Sequence, residues 1–515
     1  MFGCFNFSKY KGLCMSFYIL NSIMGNINYP LSLAHKNKNN TYTVLIGKNG
    51  SGKSNLLSFI ANFFYRDNSS FYERPDLWEI GADLSELDKY YRKNSIRYNL
   101  KGHEVNAGEI GKELAGIYCA KPFPKVHSAV FPKRVICVST SPFDRFPIKD
   151  ISHANFFKDP HNKKHQIYSY IGLKRMDKTI HVNSLINSIV QSLFTKADAV
   201  GKNLIVMEKT LEYLGYGRRI RVSFSSKFTK DKVNFYGIDK LINEHLVKLI
   251  ELNTDESNDL DKLVDLKRSE VLKAFINLYG DSNKSVYKRL SVDLHLGKVS
   301  SPLEKIKINS IELLLNLEVL KVHSLNLSHK SDNRKFIDFK KASSGEQCIA
   351  LILLGISGKI KNNSLICIDE PEISLHPEWQ SSFMSLLIKT FENYDGCHFI
   401  IATHSPQIVS ELHGENSYIL SMDENKLFSA RDYLLRSADY QLATLFDSPG
   451  FRNEFLNRKV VSLLSYLSKN GNLGKEQKVE ADQLFHLLPK INTEDPVRIL
   501  IELLNETLEI INNDH

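Results

Sequence analysis

The chain has 515 residues, 42% of them hydrophobic and 24% charged, a balance that excludes a disordered or fibrous chain and allows two or three folded domains. Lys and Arg exceed Asp and Glu by 67 − 58 = 9, a basic excess that permits contact with nucleic acid without requiring it. No run of 18 apolar residues marks a membrane span, and the seven cysteines form no C-x-x-C pair, which argues against a zinc site or a disulfide framework and for the cytoplasm.

The first twenty residues are aromatic and apolar but lack the basic, apolar, small-residue order of a secretory signal. The first distinct element is the run Tyr42-Thr43-Val44-Leu45-Ile46, which reads as a buried strand. GKNGSGKS follows at 47–54 and fits G-x-x-x-x-G-K-[ST]. Asn55-Leu56-Leu57-Ser58-Phe59-Ile60 then has helical apolar spacing. Strand, glycine-rich loop and helix are the context in which successive N–H groups wrap a phosphate chain at a positive helix end. The candidate nucleotide residues are therefore Gly47, Lys48, Asn49, Gly50, Ser51, Gly52, Lys53, Ser54 and Asn55. Lys53 would reach the outer phosphates, and the Ser54 hydroxyl would ligate Mg²⁺.

From 67 to 130 the chain is polar, with short helical stretches expected. KRVICVST at 133–140 is a buried strand, followed by SPFDRFP at 141–147. From about 155 to 310 the pattern reads as mostly helical and charged, an inserted arm. Within it, GYGRRIRVSFSSKFTKDK at 215–232 alternates like a hairpin. Arg218, Arg219, Arg221, Lys227, Lys230 and Lys232 surround Phe224 and Phe228, either as a solvated hairpin or as a face for phosphate contact and base stacking.

Strands return over 317–342. SSGEQCIALILL at 343–354 opens a long apolar helix, with Ser343 or Ser344 as its cap and Glu346 in its first turn. That helix start is either an ordinary cap or a phosphate site. LICIDEPEISLHPEWQ at 365–380 ends a buried strand on two carboxylates. Asp369 would hold Mg²⁺, and Glu370 would orient or deprotonate an attacking water; the alternative is an acidic strand-to-loop cap. FIIATHSP at 399–406 ends a third strand at His404, placed to bond a γ-phosphate or the attacking water. From 430 onward the chain reads as helical.

GKNGSGKS, ASSGEQ, CIDEPEISLHPEWQ and ATHSP, in this order, resemble the ATP-binding-cassette type ATPases of the RecF, SMC and OLD group. The resemblance implies an α/β fold: an ABC-type P-loop ATPase head, a mixed sheet flanked by helices, with an inserted helical arm and a helical C-terminal tail. The implied division is 1–150 and 311–425 for the two lobes of the head, 151–310 for the arm and 426–515 for a partner-docking tail. It further implies ATP and Mg²⁺ as cofactors and a head-to-tail homodimer around two ATPs. Residues 47–54 would be Walker A, Asp369 and Glu370 Walker B and the catalytic base, and His404 the switch histidine. Ser344, Gly345 and Glu346 would be the signature element facing the partner's ATP, and Ser374-Leu375-His376-Pro377 the D-loop. No Q-loop glutamine is evident; Asp144 occupies its place.

Residues 410–515 contain no D-x-D cluster of the kind OLD nucleases carry, since Asp423, Asp432 and Asp439 are scattered, so an ATPase without its own nuclease is expected. Together with STSPFDRFP, YSYIGLK and SPGFRNEFLNR, this is similar to the PtuA ATPases of Septu and retron-associated Septu anti-phage systems. That likeness implies a partner HNH endonuclease, PtuB, and in the retron form a reverse transcriptase with its msDNA, so that nucleic acid is part of the complex and no membrane is involved. Two other readings compete: a RecF/SMC-like DNA-repair ATPase clamp and a scaffold that binds ATP without turnover.

Overall fold

The computed structural model describes residues 16–70, 78–80, 94–110, 113–119, 131–147, 167–172, 202–226, 260–279, 289–296, 302–316, 319–332 and 334–513, with isolated positions between 186 and 247. A seven-stranded sheet forms its centre. The strands are β3 (Thr41–Ile46), β8 (Val135–Ser139), β9 (Tyr168–Ile171), β14 (Leu365–Asp369), β15 (His398–Ala402), β16 (Ser417–Ser421) and β17 (Lys426–Ser429). They lie in the order β17-β16-β3-β15-β14-β8-β9, all parallel neighbours except the antiparallel edge pair β16–β17.

Parallel strands covered on both faces must be apolar throughout, and β3, β8, β14, β15 and β16 are buried at every position. Alternate residues feed two cores. Val44, Ile46, Ile366, Ile368 and Ile401 face helix α5 (Ser344–Ser357), whose own residues Cys348–Ser357 are all buried. Leu45, Leu365, Cys367, Ile400 and Ala402 face helix α1 (Lys53–Ser70) through Leu56, Leu57 and Ile60. Cys137 and Cys367 are core residues, paired in register on β8 and β14.

The second core continues into a six-stranded sheet of order β2-β1-β5-β6-β7-β4. Its strands are β1 (Phe17–Met24), β2 (Ile27–Pro30), β4 (Trp78–Ile80), β5 (Asn94–Leu100), β6 (His103–Ile110) and β7 (Glu113–Cys119). The short helices expected between 67 and 130 are thus replaced, among the described residues, by strands. Lys101 and Gly102, both with positive φ, make the two-residue turn that closes the β5–β6 hairpin.

The segment from about 155 to 310 also differs from the mostly helical expectation. Helices α2 (Lys202–Tyr213), α3 (Leu260–Tyr279) and α4 (Pro302–Asn316) are present. They share the segment with β9, β10 (Tyr216–Ser226) and β11 (Arg289–His295). β10 is not half of a local hairpin. It is an inner strand of a four-stranded antiparallel sheet, β11-β10-β12-β13, completed by β12 (Leu320–His329) and β13 (Phe336–Asp338). Ile220, Val222 and Phe224 point one way into the first core, so the alternation marks a half-buried strand whose partners lie far along the chain.

After β14 lie α6 (Pro377–Thr390), the short α7 (Pro406–Ser410) and α8 (Ala438–Thr444). Helices α9 (Glu454–Asn470), α10 (Lys475–Leu487) and α11 (Pro496–Asn513) then pack around a core of their own that includes Leu456, Leu463, Leu484, Ile501 and Leu504. No helix among the described residues is long and apolar enough to cross a membrane.

Candidate functional site

The site forms where β3, β14 and β15, adjacent and parallel, end together at their C-terminal edge. β3 runs into the glycine loop, whose Gly47, Gly50 and Gly52 take φ of 153°, 83° and 95°. At Gly47 the requirement is also steric: a Cβ there would stand 2.8 Å from Ser51 Oγ and 3.2 Å from Met422 Cβ. Lys48, Asn49 and Gly50 are exposed at the rim, with Asn55 exposed in the first turn of α1. The Lys48 N–H donates to Asp423 Oδ2 at 3.0 Å, which fastens the loop to the end of β16.

Lys53 is buried, and its ammonium folds into the loop, donating to the carbonyls of Gly47 at 2.7 Å and Lys48 at 3.1 Å. Burial lowers its pKa; Asp423, Glu370, Glu372 and Asp369 oppose that shift. His404 Nδ1 lies 3.4 Å from Lys53 Nζ, and His404 Nε2 lies 3.9 Å from Glu370 Oε1. Burial, then the Lys53 charge, lowers the His404 pKa, which favours the neutral imidazole.

Ser54 Oγ donates to Asp369 Oδ1 at 3.0 Å. Asp369 is almost fully buried, and desolvation pushes its carboxyl up to about 7 against the pull of that hydrogen bond. A hydroxyl and a carboxylate in contact at a positive helix end are hard oxygen donors, a set that fits Mg²⁺. Glu370 follows in left-handed backbone, φ 49°, with its N–H donated to Ala402 O and its carbonyl accepting from Thr140 Oγ1. That turn leaves its carboxylate part-exposed beside His404. Asp144 is buried; it accepts from the Phe146 N–H and the Tyr170 hydroxyl and so anchors its own loop.

Residues 47–55, Asp369, Glu370 and His404 therefore converge, and the residues that open α5 lie against the turn that follows Glu370. Ser343 is the cap, and with Glu346 it makes a reciprocal capping box. Ser344 is exposed, and Gly345 is pressed against the indole of Trp379 and the backbone of Ser374. The Glu346 carboxylate also accepts from the Tyr216 hydroxyl at 3.4 Å.

The basic strand carries its charges paired. Arg218 bonds Glu208 at 2.5 Å and Glu212 at 3.2 Å. Arg221 makes a two-pronged bond to Asp293, which Arg219 joins, and both guanidinium groups lie over the Phe336 ring. Phe224 is fully buried and is not available for stacking. Lys227, Phe228, Lys230 and Lys232 lie outside the described residues.

Sequence reasoning missed Glu372, whose Oε1 accepts the His404 N–H at 2.5 Å, and Gln380, whose Oε1 accepts from Ser405 Oγ at 2.7 Å. D-E-P-E carried the first signal, a third carboxylate three residues past the strand tip.

Among curated proteins, the retron Ec83 probable ATPase of Escherichia coli is 25% identical over 170 residues, 31% of this chain and 30% of that protein. The Old nuclease of Escherichia phage P2 is 29% identical over 138 residues, 26% of this chain and 21% of its own length. The chain thus spans less than a third of either relative. A solved structure of the recombination mediator protein RecF is a distant likeness, with a TM-score of 0.26 and 14% identity over 80% of this chain and 98% of that one. The family described as "AAA ATPase domain" matches residues 32–409, from just before β3 through the His404 loop, and covers well over half of the chain. On that match the chain belongs to the AAA ATPase domain family.

Proposed function

We propose that this protein binds and hydrolyses ATP between two copies of itself and thereby governs a partner HNH endonuclease, PtuB, in anti-phage defence. In the retron form the complex also holds a reverse transcriptase and its msDNA. The observation that carries the ATPase reading is the meeting of Lys53, Ser54, Asp369, Glu370 and His404 at one sheet edge. The backbone N–H groups of 50–55 and the start of α1 hold the phosphates, and Lys53 leaves the Gly47 and Lys48 carbonyls for the outer phosphate oxygens. Ser54 and Asp369 would hold Mg²⁺, which supplies neutralisation of the phosphate charge when bound. Glu370 orients or deprotonates the attacking water, and neutral His404 donates to the γ-phosphate or that water.

In this reading, Ser344, Gly345 and Glu346 complete the nucleotide site of the second copy. Support comes from the exposure of Ser344 at the start of α5. The defence reading draws on the retron ATPase relative. The C-terminal helices, with their own core, are the region offered for partner docking.

The test is Glu370→Gln, which preserves shape and removes the base. Phosphate release is expected to fall at least 100-fold while Mg·ATP shifts the protein to a dimer on light-scattering chromatography. Unchanged turnover overturns the site assignment. Purification from the native operon, with every bound protein and nucleic acid identified, tests the nuclease and msDNA partners; their absence overturns the defence reading.

A further inference from the structure

We propose that Glu372 is the residue that positions His404, and that Glu372 and Gln380 together lock the His404 loop to the turn that follows β14. This deepens the proposed ATPase reading and rests on it for its kinetic consequences.

The turn over 370–376 is tightly wound. Glu370 and Ser374 both have left-handed backbone, with φ of 49° and 68°, and Ile373 and Leu375 bond back to the carbonyls of Glu370 and Glu372. The winding carries the Glu372 side chain beneath the end of β15, where it meets the main-chain N–H of His404 at 2.5 Å. A charged acceptor on a main-chain donor is among the stronger hydrogen bonds available. It acts on the backbone of His404 and leaves the ring free to face Lys53 and Glu370.

Gln380 repeats the device one residue later. Its amide N–H donates to the Leu375 carbonyl at 3.0 Å, and its Oε1 accepts from the Ser405 hydroxyl. Ser405 in turn caps α7 through Ile408. Consecutive residues of the histidine loop are thus each held by a side chain from the segment after Glu370.

Electrostatics make Glu372 conspicuous. Asp369, Glu370 and Asp423 already act on Lys53, and Glu372 adds a fourth carboxyl group, its pKa raised by burial, to a site built for a polyanion. A carboxylate there opposes phosphate binding, so its place is explained by what it holds. The same turn touches the start of α5, since Ser374 O stands 3.2 Å from where a Gly345 Cβ would be. A shift of the turn therefore reaches His404 through Glu372 and Gln380.

The test compares Glu372→Ala with Glu372→Gln in the full chain, with Glu370→Gln alongside. Three quantities are read: kcat, the Kd of a fluorescent ATP analogue, and hydrogen–deuterium exchange of the His404 amide. Glu372→Ala is expected to lower kcat at least tenfold, to change the Kd less than threefold, and to speed His404 exchange at least tenfold. Glu372→Gln is expected to restore kcat and protection to within threefold of the parent, because an amide oxygen accepts the same N–H. Equal impairment by Gln and Ala, or His404 exchange unchanged in Glu372→Ala, overturns the proposal. Loss of turnover in Glu370→Gln with full turnover in Glu372→Ala rejects the positioning role alone. Full turnover in Glu370→Gln rejects the assignment of Glu370 as the base, and the exchange measurement still decides whether Glu372 holds His404.

Discussion

Ser54 Oγ donates to Asp369 Oδ1 at 3.0 Å, so the first turn of the helix after the glycine loop is joined directly to the tip of β14. This contact predicts how metal dependence responds to mutation. Removing the hydroxyl in Ser54→Ala leaves the glycine loop and Lys53 in place and deletes one hard oxygen donor. The Mg²⁺ concentration for half-maximal phosphate release is expected to rise at least tenfold, with nucleotide affinity in EDTA within threefold of the parent. A magnesium titration of turnover checks it, and an unshifted midpoint sinks the metal assignment.

Gly345 gives a prediction about packing rather than chemistry. A Cβ at this position would lie 2.9 Å from Trp379 Cζ3 and 3.2 Å from Ser374 O. Alanine gains helix propensity of up to ~1 kcal/mol over glycine, while forcing an atom into a closed contact costs about 1–3 kcal/mol. Because one of the two neighbours is backbone, the clash wins. Gly345→Ala is expected to destabilise by about 1–2 kcal/mol in urea titration, and Trp379→Leu in the same chain should recover part of that loss. Strict additivity of the two changes would mean that they do not touch.

The parts of this site that the sequence announced are those whose signal is local. A glycine loop needs particular φ values and close approach, so Gly47, Gly50 and Gly52 could be read directly. Asp369, Glu370 and His404 stood out because each lies at or just beyond the end of an apolar strand. Their nearness to the glycine loop was not in the pattern, because it depends on β15 lying between β3 and β14, and the pairing of β15 with β3 joins residues hundreds of positions apart. Glu372 escaped for a related reason: its partner is a main-chain amide 32 positions on, which no side-chain pattern encodes. Strand β10 was misjudged in its partners, not in its period. Alternation was visible over 216–226, and it put Phe224 on the face of Ile220 and Val222, so its burial was readable; the pairing with 289–295 and 320–329 was not. The Lys101-Gly102 turn was not legible because lysine, unlike asparagine or aspartate, is not a usual positive-φ residue, and only its glycine hints at a hairpin.

His398 supplies a prediction about acid. It is fully buried at the start of β15, where Nδ1 accepts from the Ile19 N–H at 3.0 Å and Nε2 faces Thr43 Oγ1 at 2.9 Å. The Thr43 hydroxyl already donates to Leu31 O, so Nε2 carries the proton and Nδ1 has no room for a second one. Burial, with a smaller contribution from His35, drops its pKa from 6.5 to about 3. Between those two values the unfolded chain binds a proton that the folded chain refuses. Stability therefore rises with pH across this window and is lost as pH falls from 6.5 toward 3. The single group accounts for a loss of about 1 kcal/mol between pH 6.5 and 5.5, and about 1.4 kcal/mol for each further unit. Urea unfolding at a series of pH values is expected to show the parent losing one proton's worth more slope than His398→Asn. The variant itself starts about 1–3 kcal/mol less stable at pH 7, because it cannot satisfy both the Ile19 amide and Thr43. Parallel pH slopes for the two proteins would show that this imidazole does not control the acid response.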